Sequence, residues 1–320
     1  MDFERLSKKE RYDALTEMAD MYYNQGKTQV EIADHFDTSR FKVAKLLQDA
    51  RNEQIVEIKI NFSNERNKSM EQELLDTLPL KKAIVVNTQY TPYIDSLRQV
   101  GQVGAAYLNK LLVPNSVLGI SWGKTIQTVV GQLPQKAHNP IAAIQLAGFM
   151  PLSNPAAESR ELVRAAAAAY FGAIHYLNTP LYINSPEVRS RLLAEPDIHN
   201  TLCKAKELSV VLTGIGGRSS LPLINPVFRP YLTEKDIAAA EHCCGSIFGY
   251  ILDKNGQIAD LDLNRKLMAV PADNILAAPH RIAVVYGRHK AQITALAVKN
   301  QFINELVTDT DTALTLLEHS

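Results

Sequence analysis

From about residue 80 onwards, short apolar runs alternate with longer amphipathic segments, and this alternation constrains the fold more than any other feature. The segments at 96–112, 158–171 and 290–300 have helical periodicity and are long enough to form crossovers. Continuous apolar strands joined by helices are typical of a mostly parallel sheet that is covered on both faces. The sequence therefore predicts an α/β domain. Its predicted strands are 83–86, 117–121, 141–146, 173–177, 209–212, 247–252, 281–286 and 305–308.

Several of the turns that follow these strands are rich in glycine and small polar residues. In parallel sheets, ligands bind beyond the carboxyl ends of the strands. Glycines let backbone amides approach a ligand, and the helix start that follows adds partial positive charge, so such turns suit a phosphate group. A lone glycine, however, is often required only by turn geometry. The candidate ligand residues are Ser121, Trp122, Gly123, Lys124, Thr125, Gly148, Gly214, Gly216, Gly287 and Lys290.

Among these candidates, Lys124 and Lys290 would supply full positive charge, and Thr125 would supply a hydroxyl. Trp122 is the only tryptophan of the chain. Two roles remain open for it: packing beneath the sheet, or forming a pocket wall whose aromatic face meets the apolar side of a sugar.

Residues 28–51 have the pattern of a helix-turn-helix. Thr28 and Glu31 form a T-x-x-E capping box, and Ser39 is the expected cap of the second helix. In that second helix, Val43, Leu46, Leu47 and Ala50 share one apolar face. An amphipathic helix pair with a merely solvated charged face is the alternative, but the three-residue turn and the basic start of the second helix favour double-stranded DNA as partner. The candidate DNA-binding residues are Thr28, Gln29, Ser39, Arg40, Phe41, Lys42 and Lys45.

Charge is unevenly distributed in this N-terminal region. The first 60 residues contain ten Lys or Arg and twelve Asp or Glu, a net charge of −2, whereas between Arg40 and Arg51 four cations face the single anion Asp49. Non-specific attraction to DNA should therefore be modest. We expect more of the affinity to come from base contacts and from a second copy of the domain.

The predicted organisation has three parts. Residues 1–60 form the helix-turn-helix domain, with a short strand at 55–60 that could act as a wing. Residues 61–79 form a polar linker and a short helix at 70–78. Residues 80–320 form the larger ligand-binding and oligomerisation domain.

Composition narrows the class of protein further. The net charge is zero, and no run approaches the ~18 apolar residues needed to span a bilayer. The N-terminus has no apolar signal-peptide core. Cys203, Cys243 and Cys244 are odd in number and lack metal-site spacing, so we expect buried free thiols. These features predict a cytoplasmic protein with no membrane partner, no bound metal and no cofactor.

Taken together, these motifs resemble the SorC family of sugar-binding bacterial transcriptional regulators. The resemblance covers essentially the whole chain. It rests on the helix-turn-helix, on VLGISWGKTI at 117–126, on VVLTGIGG at 210–217, on IFGY at 247–250 with Asp253 and Gly256, and on the closing segment 302–318. It implies a sugar-isomerase-like α/β domain in a dimer or tetramer whose operator binding responds to a phosphorylated sugar or polyol. The family's phosphate loop corresponds to Ser121–Thr125, and its second glycine turn to Tyr286 and Gly287 with Lys290.

The chain departs from the family pattern at Phe149, Tyr286 and Ser246, where the family often has glycine, glycine and an acidic residue. The two aromatic residues would narrow the pocket, and the serine removes a carboxylate that would bind sugar hydroxyls. A sugar-phosphate isomerase or deaminase carrying a DNA-binding domain is the alternative function, and a constitutive DNA-binding oligomer with a vestigial pocket is a third. We expect no catalytic residues, because His289 and Asp309 are best explained as polar residues at helix starts.

Overall fold

The computed structural model describes residues 6–56, 65–89, 91–134, 140–150 and 154–318. The chain divides into two compact units, Met1–Asn61 and Phe62–Ser320. Within the described residues, no helix combines the length and apolar composition needed to cross a membrane.

The first unit is a three-helix domain. Helix α1 spans Lys8–Tyr23, α2 spans Gln29–His35 and α3 spans Arg40–Asn52. All three helices contribute to one apolar core, in which Leu15, Met18, Ile32 and Val43 are fully buried. Helix α1 was not among the predicted elements. Ile55 and Val56 pack against this core, but residues 57–60 of the predicted wing lie outside the described residues.

The second unit is built around a seven-stranded, fully parallel sheet, which confirms the predicted α/β class. Its strands are β1 (Lys82–Val86), β2 (Val117–Ile120), β3 (Ala142–Gln145), β4 (Ala173–His175), β5 (Val210–Thr213), β9 (His280–Val285) and β10 (Glu305–Asp309). Across the sheet their order is β1-β10-β9-β5-β2-β3-β4.

Helices cover both faces of this sheet. Successive residues of a strand point to opposite faces, so Ala83 and Val85 join one apolar cluster while Ile84 and Val86 join the other. Burying each such side chain contributes roughly 1.5–3 kcal/mol. The α-helices described in the second unit are α4 (Lys68–Thr77), α5 (Tyr93–Leu111), α6 (Lys124–Val130), α7 (Ser159–Ala169), α8 (Pro186–Ala194), α9 (Pro196–Lys204), α10 (Glu234–Ala238), α11 (Asp262–Lys266), α12 (Ala272–Leu276), α13 (Ala291–Lys299) and α14 (Thr310–Glu318).

The prediction of one continuous strand at 247–252 is wrong. A turn interrupts the segment: Ile247 ends β7 (Cys243–Ile247) and residues 250–252 lie in β8 (Tyr250–Asp253). These two strands form an antiparallel hairpin in a separate three-stranded sheet with β6 (Gly216–Gly217). Phe248 and Gly249 connect the two strands with φ values of 55° and 94°. Positive φ at both central residues is the geometry of a tight two-residue hairpin turn.

The three cysteines are free thiols, but their burial differs from the expectation. Cys243 is buried and Cys244 is half-buried, whereas Cys203 is exposed. The prediction of buried thiols is therefore wrong for Cys203.

Candidate DNA-binding surface and ligand site

The two caps predicted for the helix-turn-helix are present. Thr28 Oγ1 accepts a hydrogen bond from the Glu31 amide at 3.3 Å, and Glu31 Oε2 accepts one from the Thr28 amide at 2.8 Å. Ser39 Oγ accepts from the Lys42 amide at 3.2 Å. Between the helices, Asp37 has a φ of 47° and the Thr38 amide donates to the Ala33 carbonyl at 2.9 Å. These local contacts fix where α3 begins and how it leaves α2.

Helix α3 has one buried face and one solvent-facing face. Val43, Leu46, Leu47 and Ala50 are buried in the core of the unit. Phe41, Ala44, Lys45 and Gln48 are exposed and recur at the spacing of a single helical face. Ala44 and Gln48 were not among the predicted DNA-binding residues, although the same helical periodicity places them beside Phe41 and Lys45.

The predicted cations occupy different environments. Arg40 and Lys45 are exposed, and Lys42 is half-buried. Arg40 also lines a groove with the predicted residues Thr28 and Gln29, which Lys27, Tyr22, Tyr23, Gly26 and Val30 complete. A groove with two cations beside side-chain amide and hydroxyl groups suits the phosphate backbone of DNA.

Arg51, at the far end of α3, has a structural partner. Its Nε donates to the Tyr23 hydroxyl at 2.8 Å, and its guanidinium lies 5.6 Å from the Tyr23 ring centroid. Arg11 of α1 bridges Asp49 and Glu53 at 3.1 Å and 2.8 Å. The contacts at this end of α3 therefore hold it to α1, whereas Arg40 and Lys45, in the first half of the helix, are exposed.

In the second unit, the strand order reverses between β2 and β5. From β2 the chain continues outward to β3 and β4, and it then returns to β5 on the other side of β2. The loops after β2 and β5 consequently diverge, and such a point is where parallel α/β sheets bind ligands.

Hydrogen bonds join these two loops directly. The Ser121 amide donates to the Leu212 carbonyl at 3.1 Å. Ser121 Oγ lies 3.0 Å from Thr213 Oγ1 and accepts from the Gly214 amide at 3.3 Å. Thr213 was not predicted as a site residue. A polar residue at the end of an apolar strand was the only sequence signal for it.

The loop after β2 leads into α6. Gly123 has a φ of 119°, and its amide donates to the Ala157 carbonyl at 2.9 Å. The amides of Lys124 and Thr125, in the first turn of α6, have no hydrogen-bond partner among the residues that the structure describes. The Lys124 side chain is exposed and Thr125 is buried. This loop therefore presents two backbone donors and one cation.

Trp122 is half-buried beside the hairpin turn. A Cβ atom on Gly249 would lie 3.4 Å from Trp122 Cη2. The indole packs against the apolar cluster that contains Ile251 and Leu267. Its neighbours therefore include the hairpin turn of the small sheet and the loops around it.

The turn after β9 brings a cation to the glycine segment that follows β5. A Cβ atom on Gly217 would lie 3.7 Å from His289 Cδ2 and 3.9 Å from Lys290 Cγ. Lys290 is half-buried, and burial lowers its pKa below the ordinary value, while the negative charge of Asp309 acts in the opposite direction. Lys290 is thus a partly desolvated cation beside Gly217, three residues after Gly214.

Asp309 is buried and serves as a helix cap. Its Oδ1 accepts from the Gly287 amide at 3.3 Å, and its Oδ2 accepts from the Thr312 amide at 3.2 Å. The Gly287 amide also donates to Thr312 Oγ1 at 3.0 Å. This predicted glycine therefore shapes the turn, and its amide already has protein acceptors.

Gly148 and Gly216 have packing roles in the structure. The Gly148 amide donates to the Met268 carbonyl at 2.8 Å, and a Cβ there would lie 2.5 Å from the Pro180 carbonyl oxygen. A Cβ on Gly216 would lie 2.7 Å from Ser246 Oγ. Hydrogen bonds thus join Ser121 to Thr213 and Gly214, and Lys290 lies beside Gly217, while Gly148 and Gly216 allow close approach of neighbouring chain segments.

Phe149 and Tyr286, the two aromatic residues that depart from the family pattern, lie in different surroundings. Phe149 is 45% exposed and its amide donates to the Thr179 carbonyl at 2.8 Å. Tyr286 is half-buried and packs edge to face on Tyr93, with ring centroids 5.2 Å apart. The pKa of Tyr286 is raised by burial.

Within the described residues, no group of three or more His, Cys, Asp or Glu side chains is arranged to hold a metal ion.

Comparison with known proteins agrees with this architecture. The family model described as "Putative sugar-binding domain" matches residues 63–318. The sorbitol operon regulator of Klebsiella pneumoniae is 28% identical over 309 residues, covering 95% of this chain and 97% of that protein. The transcriptional regulator LsrR of Enterobacter sp. (strain 638) is 25% identical over 328 residues, covering 99% of each.

A solved structure also matches along most of the chain. The crystal structure of full-length sorbitol operon regulator SorC from Klebsiella pneumoniae has a TM-score of 0.73 and 27% identity, and the match covers 95% of this chain and 97% of that one. Because the family model spans most of the chain and both units have counterparts in this structure, the chain belongs to the SorC family of transcriptional regulators with a sugar-binding domain.

Proposed function

We propose that the protein regulates a sugar or polyol utilisation operon, and that a phosphorylated sugar or polyol in the second unit controls its binding to operator DNA. The observation that carries the ligand part is the junction of Ser121, Thr213 and Gly214 at the reversal point of the sheet, with Lys290 beside Gly217 further along the same loop. A partly desolvated cation and nearby backbone donors bind an anion more strongly than they bind a neutral sugar.

The name of one relative narrows the class of ligand. The sorbitol operon regulator is similar to this chain along its whole length, so a phosphorylated hexitol is the first candidate. Ser246 stands where the family often has an acidic residue. Ligand hydroxyls near it would meet a neutral hydroxyl, and the phosphate end should supply more of the affinity.

We infer that the second unit binds its ligand without converting it. Sugar-phosphate isomerisation needs a positioned general base. Asp309 caps α14 and binds the Gly287 amide. The buried Glu158 accepts from Ser159 Oγ at 2.8 Å and from the Arg160 amide at 2.9 Å. Both carboxylates therefore already accept hydrogen bonds from neighbouring groups of the protein.

The proposed DNA contacts come from the start of α3 and the groove beside it. Substituting Ala for Arg40, Lys42 or Lys45 should weaken operator binding without unfolding the chain. Salt weakens binding, and the steepness of this effect is the slope of log K against log salt concentration. The loss of one phosphate contact should reduce the magnitude of that slope by about one. We propose that the ligand acts on this binding by favouring one of two arrangements of paired subunits.

A thermal-shift screen of the full-length protein tests the ligand assignment. Phosphorylated hexitols and hexoses would be compared with their unphosphorylated forms and with inorganic phosphate. We expect a rise in Tm with a phosphorylated member, since a ligand at 100 times its Kd stabilises the folded state by about 2.7 kcal/mol. The rise should shrink in Lys124→Ala and Lys290→Ala and persist in Lys254→Ala, a matched change at an exposed lysine. Equal Tm values across the panel would favour the vestigial-pocket alternative.

A further inference from the structure

Phe41 presents an aromatic ring to solvent at the start of the DNA-facing helix. The residue is 85% exposed, the most exposed of the large apolar residues described. It is the second residue of α3, directly after Arg40. A single exposed apolar residue needs no explanation in itself. Its position in the helix-turn-helix is the informative part.

The residues around Phe41 on the exposed face of α3 leave its ring accessible to a binding partner. Ala44 lies one turn further along the same exposed face and has only a methyl side chain. Lys45 is exposed beside it, and Arg40 precedes it. An apolar centre flanked by cations is complementary to the floor of a DNA groove between two phosphate backbones. A second copy of α3 would instead bring the same cations together.

We propose that Phe41 recognises the 5-methyl group of a thymine in the major groove of the operator. This inference rests on the proposed role of α3 as the recognition helix. The first residues of such a helix contact base edges. Thymine alone presents a methyl group there, and apolar side chains including Phe recognise it by contact. Phe41 is then a specificity-determining residue, whereas Arg40 and Lys45 contribute sequence-independent affinity.

The test replaces single thymines by deoxyuridine, which removes only the methyl group. An operator would first be selected from random duplex DNA with the full-length wild-type protein. Each thymine of that operator would then be replaced in turn, and Kd would be measured. We expect about a fourfold loss of affinity at one position per half-site. This is the change in Kd that corresponds to the free energy of burying one methyl-sized group. Phe41→Ala should bind more weakly and show no loss at that position.

Two further variants separate methyl recognition from other roles. Phe41→Leu keeps an apolar side chain and should retain sensitivity to the methyl group. Tyr12→Ala removes a different exposed aromatic residue, on α1, and should leave the deoxyuridine profile unchanged. Thermal melting and sedimentation of each variant would show whether folding or subunit association has changed.

The outcomes distinguish this inference from the proposed function. Operator binding that is unaffected by every thymine replacement would overturn the methyl contact and leave DNA binding intact. The same conclusion would follow if Phe41→Ala kept the wild-type profile, or if its only effect were on subunit association. Failure to select any duplex DNA would overturn the proposed function and, with it, this inference.

Discussion

At the residue scale, Lys290 combines a proposed ligand contact with a cost in stability. Burial lowers its pKa, and the charge of Asp309 opposes that effect only in part. In the unfolded chain the ammonium is fully hydrated. Folding therefore removes water from a charged group without a complete replacement, as is common at binding sites.

We predict that Lys290→Met raises the Tm and abolishes the ligand-induced shift. An increase of 1 kcal/mol in the free energy of unfolding raises Tm by about 2–4 °C in a domain of this size. Because the folded-state pKa lies below the unfolded value, the cost is fully present at neutral pH. It disappears as pH rises through the folded pKa towards the unfolded one. The gain in the variant should therefore shrink at alkaline pH.

Thermal melting between neutral and alkaline pH checks this prediction, with Lys254→Met as the control. A lower Tm in Lys290→Met at neutral pH would contradict the assignment of a desolvation cost to this lysine.

Local residue roles were more predictable from sequence than ligand contacts. The caps at Thr28 and Ser39 require only residues within three positions, so the sequence pattern sufficed. Whether the amide of Gly148 is available to a ligand depends instead on Met268, 120 residues later in the chain. Such tertiary partners cannot be read from a glycine in a turn.

At the scale of elements, Ser39 connects the stability of α3 with the proposed recognition of DNA. Its side chain caps α3 from an exposed position next to Arg40. Aspartate caps helices about as well as serine and also favours the positive end of the helix dipole, but its negative charge repels DNA phosphates.

The prediction is a separation of stability from DNA affinity. Ser39→Ala should lower the stability of the N-terminal unit by about 1 kcal/mol. Ser39→Asp should retain wild-type stability but bind operator more weakly. Chemical denaturation and fluorescence anisotropy measure the two quantities. If Ser39→Asp bound operator as tightly as wild type, the start of α3 would not lie near the DNA backbone.

The hairpin at Phe248 and Gly249 shows where element prediction failed. The apolar segment 247–252 has the composition of a buried strand. A positive φ is unusual for a bulky residue such as phenylalanine. Here Phe248 is 2% exposed, and burial of its ring in the main apolar cluster offsets the backbone cost. That compensation depends on the tertiary fold, so the sequence pattern could not indicate it.

At the scale of the whole molecule, the charge distribution favours cooperation between DNA-binding units. The first 60 residues carry a net charge of −2, and Arg51 is held against Tyr23. A single unit therefore has few cations to offer the DNA backbone. We expect at least two units to bind one operator, with recognition helices about 34 Å apart or at a multiple of that distance.

Altering the spacing between operator half-sites tests this pairing. Inserting about 5 base pairs places the half-sites on opposite faces of the duplex and should abolish high-affinity binding, while about 10 base pairs should restore part of it. Gel-shift titrations with the three operators measure the effect. Equal affinity for all three would indicate that single units bind independently.

The central claim is that an anionic sugar beside Lys290 controls operator binding by the N-terminal unit. The most direct measurement is the Kd of the full-length protein for the promoter beside its own gene, with and without a saturating hexitol phosphate, in wild type and Lys290→Met. Allosteric coupling of 1–3 kcal/mol predicts a change of about 5- to 150-fold in wild type and little change in the variant. An equal response of both proteins to the ligand would contradict the account.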